Sequence, residues 1–241
     1  MKVYLEDPYL SKVSARVLLV KKSRGRRGYV VLDRTVFHPL GGGQPSDRGV
    51  ILGEGRVFRV KKAIVSGGVL MHYGSYGDRY SFQVGEEVEA RIDWEFRYLV
   101  MRLHTAGHIL DYAVASVHGG PVETLSAFHG PPDAFLEYRL RERPRVGEIE
   151  AEANRVVEED VPVRIRWVDG EELASAVYNA PNLARVPVSK RYRIVEIEGV
   201  NAMPCTGTHV ARTGEVGRIR VEWVEATENG WRLHYSVAEP G

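Results

Sequence analysis

His104 and His108 are the first residues in the sequence whose type and spacing point to chemistry. Residues four apart on an α-helix lie on the same face, so both imidazole rings can reach one metal ion. Apolar residues recur around them at spacings of three and four, which predicts a helix over 94–117. The histidines lie to the side of its apolar stripe and are expected to flank the core. Two half-buried histidines without a metal are an equal alternative on this evidence.

Cys205 and His209 repeat the four-residue spacing, and Cys205 is the only cysteine of the chain. Pro204 and Gly207 favour a turn at this position. Thiolate and imidazole both suit Zn²⁺, with bonds of about 2.3 Å and 2.0–2.1 Å. The two pairs together form a set of three nitrogens and one sulfur, which favours zinc over iron or magnesium. A buried, structural cysteine is the alternative, and the coincidence of the two pairs makes a zinc site the preferred interpretation.

The elements that must position these residues fall into two groups. Short β-rich runs fill the first third of the chain and predict a small β-barrel. The hydrophobic period changes from 2 to 3.6 at Trp94, which places a domain boundary near residue 90. Beyond it, helices alternate with strands, so we expect an α+β fold with an antiparallel sheet. The predicted domains are a barrel over 1–90 and an α+β domain over 91–241. The predicted strands are 15–22, 28–34, 49–52, 56–65, 69–73, 81–93, 124–129, 134–140, 163–168, 192–197 and two near the C-terminus, with helices at 147–160 and from Glu171.

Composition limits the functional classes. The 241 residues are 44% hydrophobic and 27% charged, as in ordinary globular proteins. Lys and Arg number 33 against 32 Asp and Glu, so nucleic-acid contacts must come from local clusters. A single cysteine excludes an internal disulfide and favours a reducing compartment. No signal-peptide pattern or membrane-length apolar run occurs, which predicts a cytoplasmic protein without membrane contact.

Three consecutive glycines, Gly41, Gly42 and Gly43, stand out within the barrel region. Each loses much backbone entropy on folding, and a tight turn needs only one or two. The third indicates that backbone comes close to a bulky neighbour, either another domain or a ligand. The segment is not a phosphate-binding P-loop, because Gly-Lys-Ser/Thr is missing and no helix is predicted after it.

These motifs resemble those of the alanyl-tRNA synthetase editing domain. His104-Thr-Ala-Gly-His108 with Cys205-Thr-Gly-Thr-His209 is similar to its zinc signature. Gly-Gly-Gly-Gln-Pro-Ser-Asp-Arg-Gly at 41–49 is similar to the glycine-rich motif that precedes it, and the resemblance covers nearly the whole chain. The length leaves no room for aminoacylation and anticodon-side domains. The expectation is therefore a medium-length, free-standing editing protein of the AlaX group, which hydrolyses tRNA-Ala mischarged with serine or glycine.

The resemblance implies a translation-factor-like barrel, four zinc ligands and hydrolysis of the ester that joins an amino acid to the terminal ribose of tRNA. Zinc in such a site can act as a Lewis acid, activate water or hold the substrate's amino group. Four protein ligands fill a tetrahedral site, so the sequence leaves this role open. No catalytic base is evident. The implied zinc ligands are His104, His108, Cys205 and His209.

Substrate contacts follow from the same resemblance. Thr124 lies where the family places a substrate-binding threonine, and Ser126 is expected beyond it on the same strand face. The alternative is a solvent-facing threonine. Gly107 stands where the synthetases usually have threonine, and we interpret it as room for a substrate beside the metal. Further expected substrate contacts are Gly42, Gly43 and Gln44.

The segment 21–27 is the candidate tRNA contact, because it has five basic residues in seven and enough charge for phosphate contacts. A solvated hairpin tip is the alternative.

The expected partner is mischarged tRNA-Ala, and a monomer is plausible. Two other functions stay open: an RNA-binding module with a purely structural zinc, and an editing module of the threonyl-tRNA synthetase kind, against which 41–49 argues. His72, His118, His129 and His234 are interpreted as structural or surface residues. The five basic residues of the segment 21–27, the candidate tRNA contact, are Lys21, Lys22, Arg24, Arg26 and Arg27.

Overall fold

The computed structural model describes residues 1–77 and 81–239. The chain divides into two compact units, Met1–Leu99 and Val100–Gly241, and passes from one to the other within helix α1, Trp94–His118. The predicted boundary near residue 90 lies before that helix. The first turns of α1 belong to the first unit because the buried Arg97 binds Asp47 and the backbone there.

The first unit is a closed antiparallel barrel of six strands in the order β1-β2-β5-β4-β3-β6, which confirms the predicted small β-barrel. Side chains alternate along each strand, so that residues such as Val17, Val30 and Phe58 fill the interior. The last predicted strand, 81–93, is shorter than expected. The strands are β1 Lys12–Lys22, β2 Arg27–Leu32, β3 Gly49–Gly53, β4 Arg56–Ser66, β5 Val69–Tyr76 and β6 Glu87–Ile92.

The glycine-rich motif forms a tight turn in the first unit. Gly41 and Gln44 exchange backbone hydrogen bonds of 3.1 Å and 3.0 Å. Gly42 and Gly43 between them have φ of 60° and 76°, which glycine adopts without strain. The turn thus accounts for two of the three glycines. Asp47, further along the motif, is fixed by the Arg97 guanidinium.

The second unit is α+β, as predicted, but it contains two antiparallel sheets instead of one. A four-stranded sheet has the order β12-β13-β8-β7, and a three-stranded sheet has the order β11-β10-β9. Strand β11 was not among the predicted strands, and Pro204, which favours a turn, is its last residue. The elements after α1 are β7 Thr124–Phe128, β8 Ala134–Tyr138, α2 Val146–Glu158, β9 Val163–Asp169, α3 Leu173–Ala176, β10 Arg191–Ile197, β11 Asn201–Pro204, β12 Ile219–Thr227 and β13 Gly230–Val237.

Helix α1 is the central element of the second unit. Asp93 caps it, since its carboxylate accepts a hydrogen bond from the Phe96 N–H at 3.2 Å. Residues 100–110 are buried without exception. The expectation that His104 and His108 flank the core is therefore wrong, because this stretch is packed on all sides. None of the described helices is long and apolar enough to cross a membrane.

Candidate metal centre

Four side chains converge in the second unit: His104, His108, Cys205 and His209. One potential ligand atom from each lies within 4.8 Å of all the others. The Cys205 Sγ atom lies 3.5 Å from His104 Nε2 and 3.4 Å from His209 Nε2. The structure thus brings together the four residues that the sequence nominated, from positions about a hundred residues apart.

This donor set fits a tetrahedral metal ion such as Zn²⁺. Bonds of about 2.3 Å to sulfur and 2.0–2.1 Å to nitrogen place tetrahedral ligand atoms roughly 3.6 Å apart. The two distances from Cys205 Sγ to histidine nitrogens match this value. In addition, the Nδ1 atom of His108 is buried and has no hydrogen-bond partner among the described residues.

His108 is held in the form that binds metals. Burial, together with the charge of Arg193, lowers the pKa of His108 to about 3, so the imidazole is neutral. The Asn201 amide donates a hydrogen bond of 2.7 Å to the backbone oxygen of His108. Because Asn201 begins β11, this bond links the helix that carries two histidines to the strand that leads to Cys205.

Arg193 of β10 shapes the turn at Cys205. Its Nη1 atom donates to the backbone oxygens of Cys205 at 2.7 Å and Gly207 at 2.9 Å. The Gly207 N–H points at Cys205 Sγ, 3.4 Å away. Burial raises the pKa of the Cys205 thiol, whereas the Arg193 charge and the Gly207 N–H act in the opposite direction. A guanidinium and an amide beside the sulfur favour the thiolate that a metal requires.

A hydrogen bond to Thr105 determines which ring nitrogen of His209 carries the proton. The Thr105 hydroxyl donates to the Met101 backbone oxygen at 2.9 Å, so its Oγ1 accepts from His209 Nδ1–H at 3.1 Å. With the proton on Nδ1, the Nε2 atom that faces Cys205 is unprotonated, as a metal ligand must be. Thr105 lies between the two histidines of α1 and was not identified from the sequence.

His129 adjoins this cluster and was likewise missed. Its ring stacks on that of His104, with centroids 4.3 Å apart and planes 16° apart. The Tyr235 hydroxyl donates to the Leu103 backbone oxygen at 3.0 Å and accepts from His129 Nδ1–H at 2.7 Å. Burial is the main cause that lowers the pKa of His129 to about 3. His129 is therefore a buried structural residue, one of the two interpretations given above, and its contact with a metal-site histidine is what the sequence did not indicate.

Gly107 makes room for His129. A Cβ atom at position 107 would lie 2.5 Å from His129 Cε1, 2.6 Å from its Nδ1 and 3.2 Å from Tyr235 Oη. The space beside Gly107 is thus filled by protein side chains. Room for a substrate at this position stays a prediction, and the packing of His129 is sufficient to explain the glycine.

Thr124 is buried on β7, not solvent-facing. Its hydroxyl donates a hydrogen bond of 2.8 Å to the Asp111 carboxylate, which lies one helical turn after His108. Burial raises the pKa of Asp111 to about 6, while the bond from Thr124 lowers it. The hydroxyl hydrogen of Thr124 is therefore committed to Asp111, and its oxygen can still accept a hydrogen bond.

Ser126 lies on the opposite face of β7 from Thr124, so the expectation of a shared face is wrong. The pairing of β7 with β8 shifts between them: Thr124 pairs with Tyr138, but Ser126 pairs with the adjacent Glu137. Cross-strand partners share a face, and neighbours along a strand do not. The β-bulge thus turns Ser126 towards Glu137 Oε2, 3.1 Å away.

The other predicted contact residues belong to the first unit. Gly42 is exposed, Gly43 is half-buried and Gln44 is buried. The five basic residues of 21–27 are exposed at the end of β1, in the β1–β2 turn and at the start of β2. Their roles in substrate and tRNA binding stay predictions.

Two family models match the chain. Residues 7–96 match one described as tRNA synthetases class II (A). Residues 192–232 match the threonyl and alanyl tRNA synthetase second additional domain. The second match contains Cys205 and His209, as well as Arg193, which holds the turn between them.

Named relatives align with almost the whole chain. It is 34% identical over 240 residues to the alanyl-tRNA editing protein AlaX-L of Pyrococcus horikoshii, covering 98% of this chain and 57% of that protein. It is 35% identical to the alanine–tRNA ligase of Ignicoccus hospitalis, covering 95% of this chain and 25% of the ligase. For the Methanothermobacter thermautotrophicus ligase the identity is 37%, covering 86% of this chain and 23% of the ligase. The chain thus spans little more than half of the first relative and about a quarter of the ligases.

The fold and the site define an α+β protein with a closed β-barrel and a buried cluster of three histidines and one cysteine. Two family models of tRNA synthetases match parts of the chain, and almost its whole length is similar to an alanyl-tRNA editing protein and to alanine–tRNA ligases.

Proposed function

We propose that this protein is a trans-acting editing hydrolase that removes serine from mischarged tRNA-Ala, with glycine as a second substrate. The buried cluster of His104, His108, Cys205 and His209 is the observation that carries the proposal. The similarity to an alanyl-tRNA editing protein and to alanine–tRNA ligases supports alanine as the cognate amino acid. We further propose a cytoplasmic location.

Zn²⁺ is the proposed cofactor, held by the four residues of the cluster. When bound, it can polarise the ester carbonyl, activate a water molecule or hold the substrate's amino group. The protein's own residues prepare the site for it. Thr105 orients His209, the stacked His129 orients His104, and Arg193 holds the turn at Cys205.

Thr124 is the proposed contact for the serine hydroxyl. Because its own hydrogen is donated to Asp111, Oγ1 can accept the hydrogen of a substrate hydroxyl. Alanine lacks that hydroxyl and would leave the pocket's polar group without its partner. Sites built to bind a hydroxyl can discriminate against the analogue that lacks it by about 10⁴–10⁵.

A purely structural metal in an RNA-binding module is the second candidate function. Four protein ligands complete a tetrahedral shell, as structural zinc sites do, whereas catalytic sites keep one position open. An editing module of the threonyl type is the third candidate function. The family model that matches residues 192–232 covers threonyl as well as alanyl enzymes. The similarity to an alanyl-tRNA editing protein and to an alanine–tRNA ligase favours editing of tRNA-Ala over the threonyl alternative.

A deacylation assay separates these candidates. Purified protein is mixed with tRNA-Ala charged with serine, glycine or alanine, with and without a zinc chelator. The proposal predicts rapid release of serine, slower or equal release of glycine, no release of alanine, and loss of activity with chelator. Absence of hydrolysis of all three esters by zinc-loaded protein would contradict it and leave the RNA-binding module and the threonyl-type editing module.

A further inference from the structure

The barrel has a strongly basic side. The segments 8–32 and 55–77 contain eleven Lys and Arg residues and no Asp or Glu, although the net charge of the chain is only +1. Strands β1, β2, β5 and β4 come from these segments and are consecutive neighbours in the barrel. Residues distant in sequence thus produce one continuous basic surface, which the near-neutral composition conceals.

Strand register places the charges in rows on the outside of the barrel. Lys21 pairs with Tyr29, Tyr29 with Tyr73, and Tyr73 with Lys62, so one row crosses four strands. The neighbouring Val30 is fully buried and points inwards, and the row is therefore on the outer face. A second row runs through Arg27, Ser75 and Arg59.

Two tyrosines form the centre of this surface. The rings of Tyr29 and Tyr73 are both half-buried, with centroids 5.1 Å apart and planes inclined at 46°. The Lys62 Nζ atom lies over the Tyr73 ring, 5.8 Å from its centroid. The surface therefore presents aromatic rings and hydroxyl groups between cationic side chains.

The charges of these rows are not neutralised within the part of the chain that the structure describes. Outside these rows, Arg16 of β1 pairs with Glu87 of the neighbouring β6, and Arg56 at the start of β4 pairs with Glu54 and Glu86. No ion pair among residues 1–77 and 81–239 involves Lys21, Arg27, Arg59 or Lys62.

We propose that the outer face of β1, β2, β5 and β4 binds the phosphate backbone of RNA, with Arg59, Lys62, Tyr29 and Tyr73 as contact residues beyond the basic turn at 21–27. Lys and Arg side chains that neutralise phosphates release counterions, and tyrosine hydroxyls bond phosphate and sugar oxygens. The identity of the RNA as tRNA rests on the proposed function. The RNA contact itself rests on the charge and register of the barrel.

Binding of uncharged tRNA-Ala at several salt concentrations tests this inference without requiring hydrolysis. The double variant Arg59→Ser/Lys62→Ser removes two exposed cations. We expect about tenfold weaker binding at low salt and a slope of log K against log salt that is smaller by about two. The control is Arg141→Ser/Arg143→Ser, which removes two exposed arginines of the second unit and leaves the barrel intact.

The slope distinguishes the outcomes. A smaller slope in the barrel variant and an unchanged slope in the control support the RNA-binding face. Equal slopes in the wild-type protein and the barrel variant would overturn it, as would an equal change in both variants, since net charge alone would then explain the effect. Failure of hydrolysis with retained, salt-dependent binding would contradict the proposed function and leave this inference standing.

A second variant tests the tyrosines. Tyr73→Leu keeps apolar volume in the sheet but removes the ring and the hydroxyl. We expect affinity for tRNA to fall about fivefold with an unchanged salt slope, because no cation is lost. Unchanged affinity in a variant with wild-type circular dichroism would remove Tyr73 from the contact surface.

Discussion

Thr105 Oγ1 lies 3.1 Å from His209 Nδ1 and donates its own hydrogen to the Met101 backbone oxygen. This single hydroxyl fixes the tautomer of a histidine that is 104 residues away in sequence. The helix that carries His104 and His108 therefore also orients the ring of a third proposed ligand. Metal affinity should depend on a threonine that does not touch the metal.

Replacement of Thr105 by valine should weaken zinc binding by about 10–100-fold, the usual effect of losing a hydrogen bond to a ligand histidine. Thr105→Ser keeps the hydroxyl and serves as the matched control. Competition with a chromophoric chelator measures both affinities. Equal affinities for Thr105→Val and the wild type would show that the ring of His209 is oriented by other contacts.

Gly107→Ala should destabilise the protein, although alanine is the better helix former by about 1 kcal/mol. The new Cβ would lie 2.5 Å from His129 Cε1, and overpacking of this kind costs typically 1–3 kcal/mol. Urea denaturation of the zinc-free protein measures the change in the free energy of unfolding.

The same substitution in a His129→Ser background is the control for Gly107→Ala. With the ring gone, the added methyl group meets open space on that side and should cost much less. An equal cost in both backgrounds would mean that the glycine is required for a reason other than His129.

The sequence predicted those parts of the site that depend on local spacing. Helix α1, the turn at Cys205 and all four members of the cluster follow from periodicity and residue type. The cluster of basic residues in the turn between β1 and β2 could also be recognised from the sequence. Helix α1, the turn at Cys205, the basic turn and each of the two ligand pairs taken separately lie in segments of fewer than thirty residues.

Features that depend on distant packing were not predictable in the same way. His129 is hydrogen-bonded to Tyr235, 106 residues later in the sequence, and its ring fills the space beside Gly107. The bulge that separates Thr124 from Ser126 is a property of strand pairing. The burial of every residue from 100 to 110 depends on packing against distant segments, which no local pattern encodes.

Thr124→Val should lower hydrolysis of Ser-tRNA-Ala by about 10²-fold, or about 3 kcal/mol in the activation barrier, with zinc content unchanged. The methyl group cannot accept the serine hydroxyl hydrogen, so hydrolysis of Gly-tRNA-Ala should fall much less. Thr124→Ser should retain activity, and Ser126→Ala should have little effect because Ser126 faces the other side of β7. Single-turnover rates with both substrates measure these effects.

Equal losses on the two substrates would assign Thr124 a supporting role through Asp111, to which it is bonded at 2.8 Å. Unaltered serine activity in Thr124→Val would place the recognition of the hydroxyl elsewhere.

His72 should make the first unit less stable in acid. It is buried, bonded to Thr35 and to the Val30 backbone oxygen, and burial lowers its pKa to about 4. Below pH 6.5 His72 is protonated in the unfolded chain but stays neutral in the folded protein. The free energy of unfolding therefore falls as the pH is lowered to about 4. The loss is about 3 kcal/mol for a shift of this size.

His72→Gln removes this titration and provides the reference. Urea denaturation between pH 7.5 and 4 should show the wild type losing stability relative to the variant, with most of the change between pH 6.5 and 4. A constant difference across this range would show that His72 is protonated equally in both states.

Stepwise addition of zinc to the metal-free protein, with hydrolysis of Ser-tRNA-Ala followed at each step, tests the central claim most directly. The four-residue cluster predicts activity that rises linearly and stops at one zinc per chain, and Cys205→Ala should lose most bound zinc and most activity together. Full activity before zinc is added, or a Cys205→Ala variant that keeps its zinc and its activity, would contradict the claim.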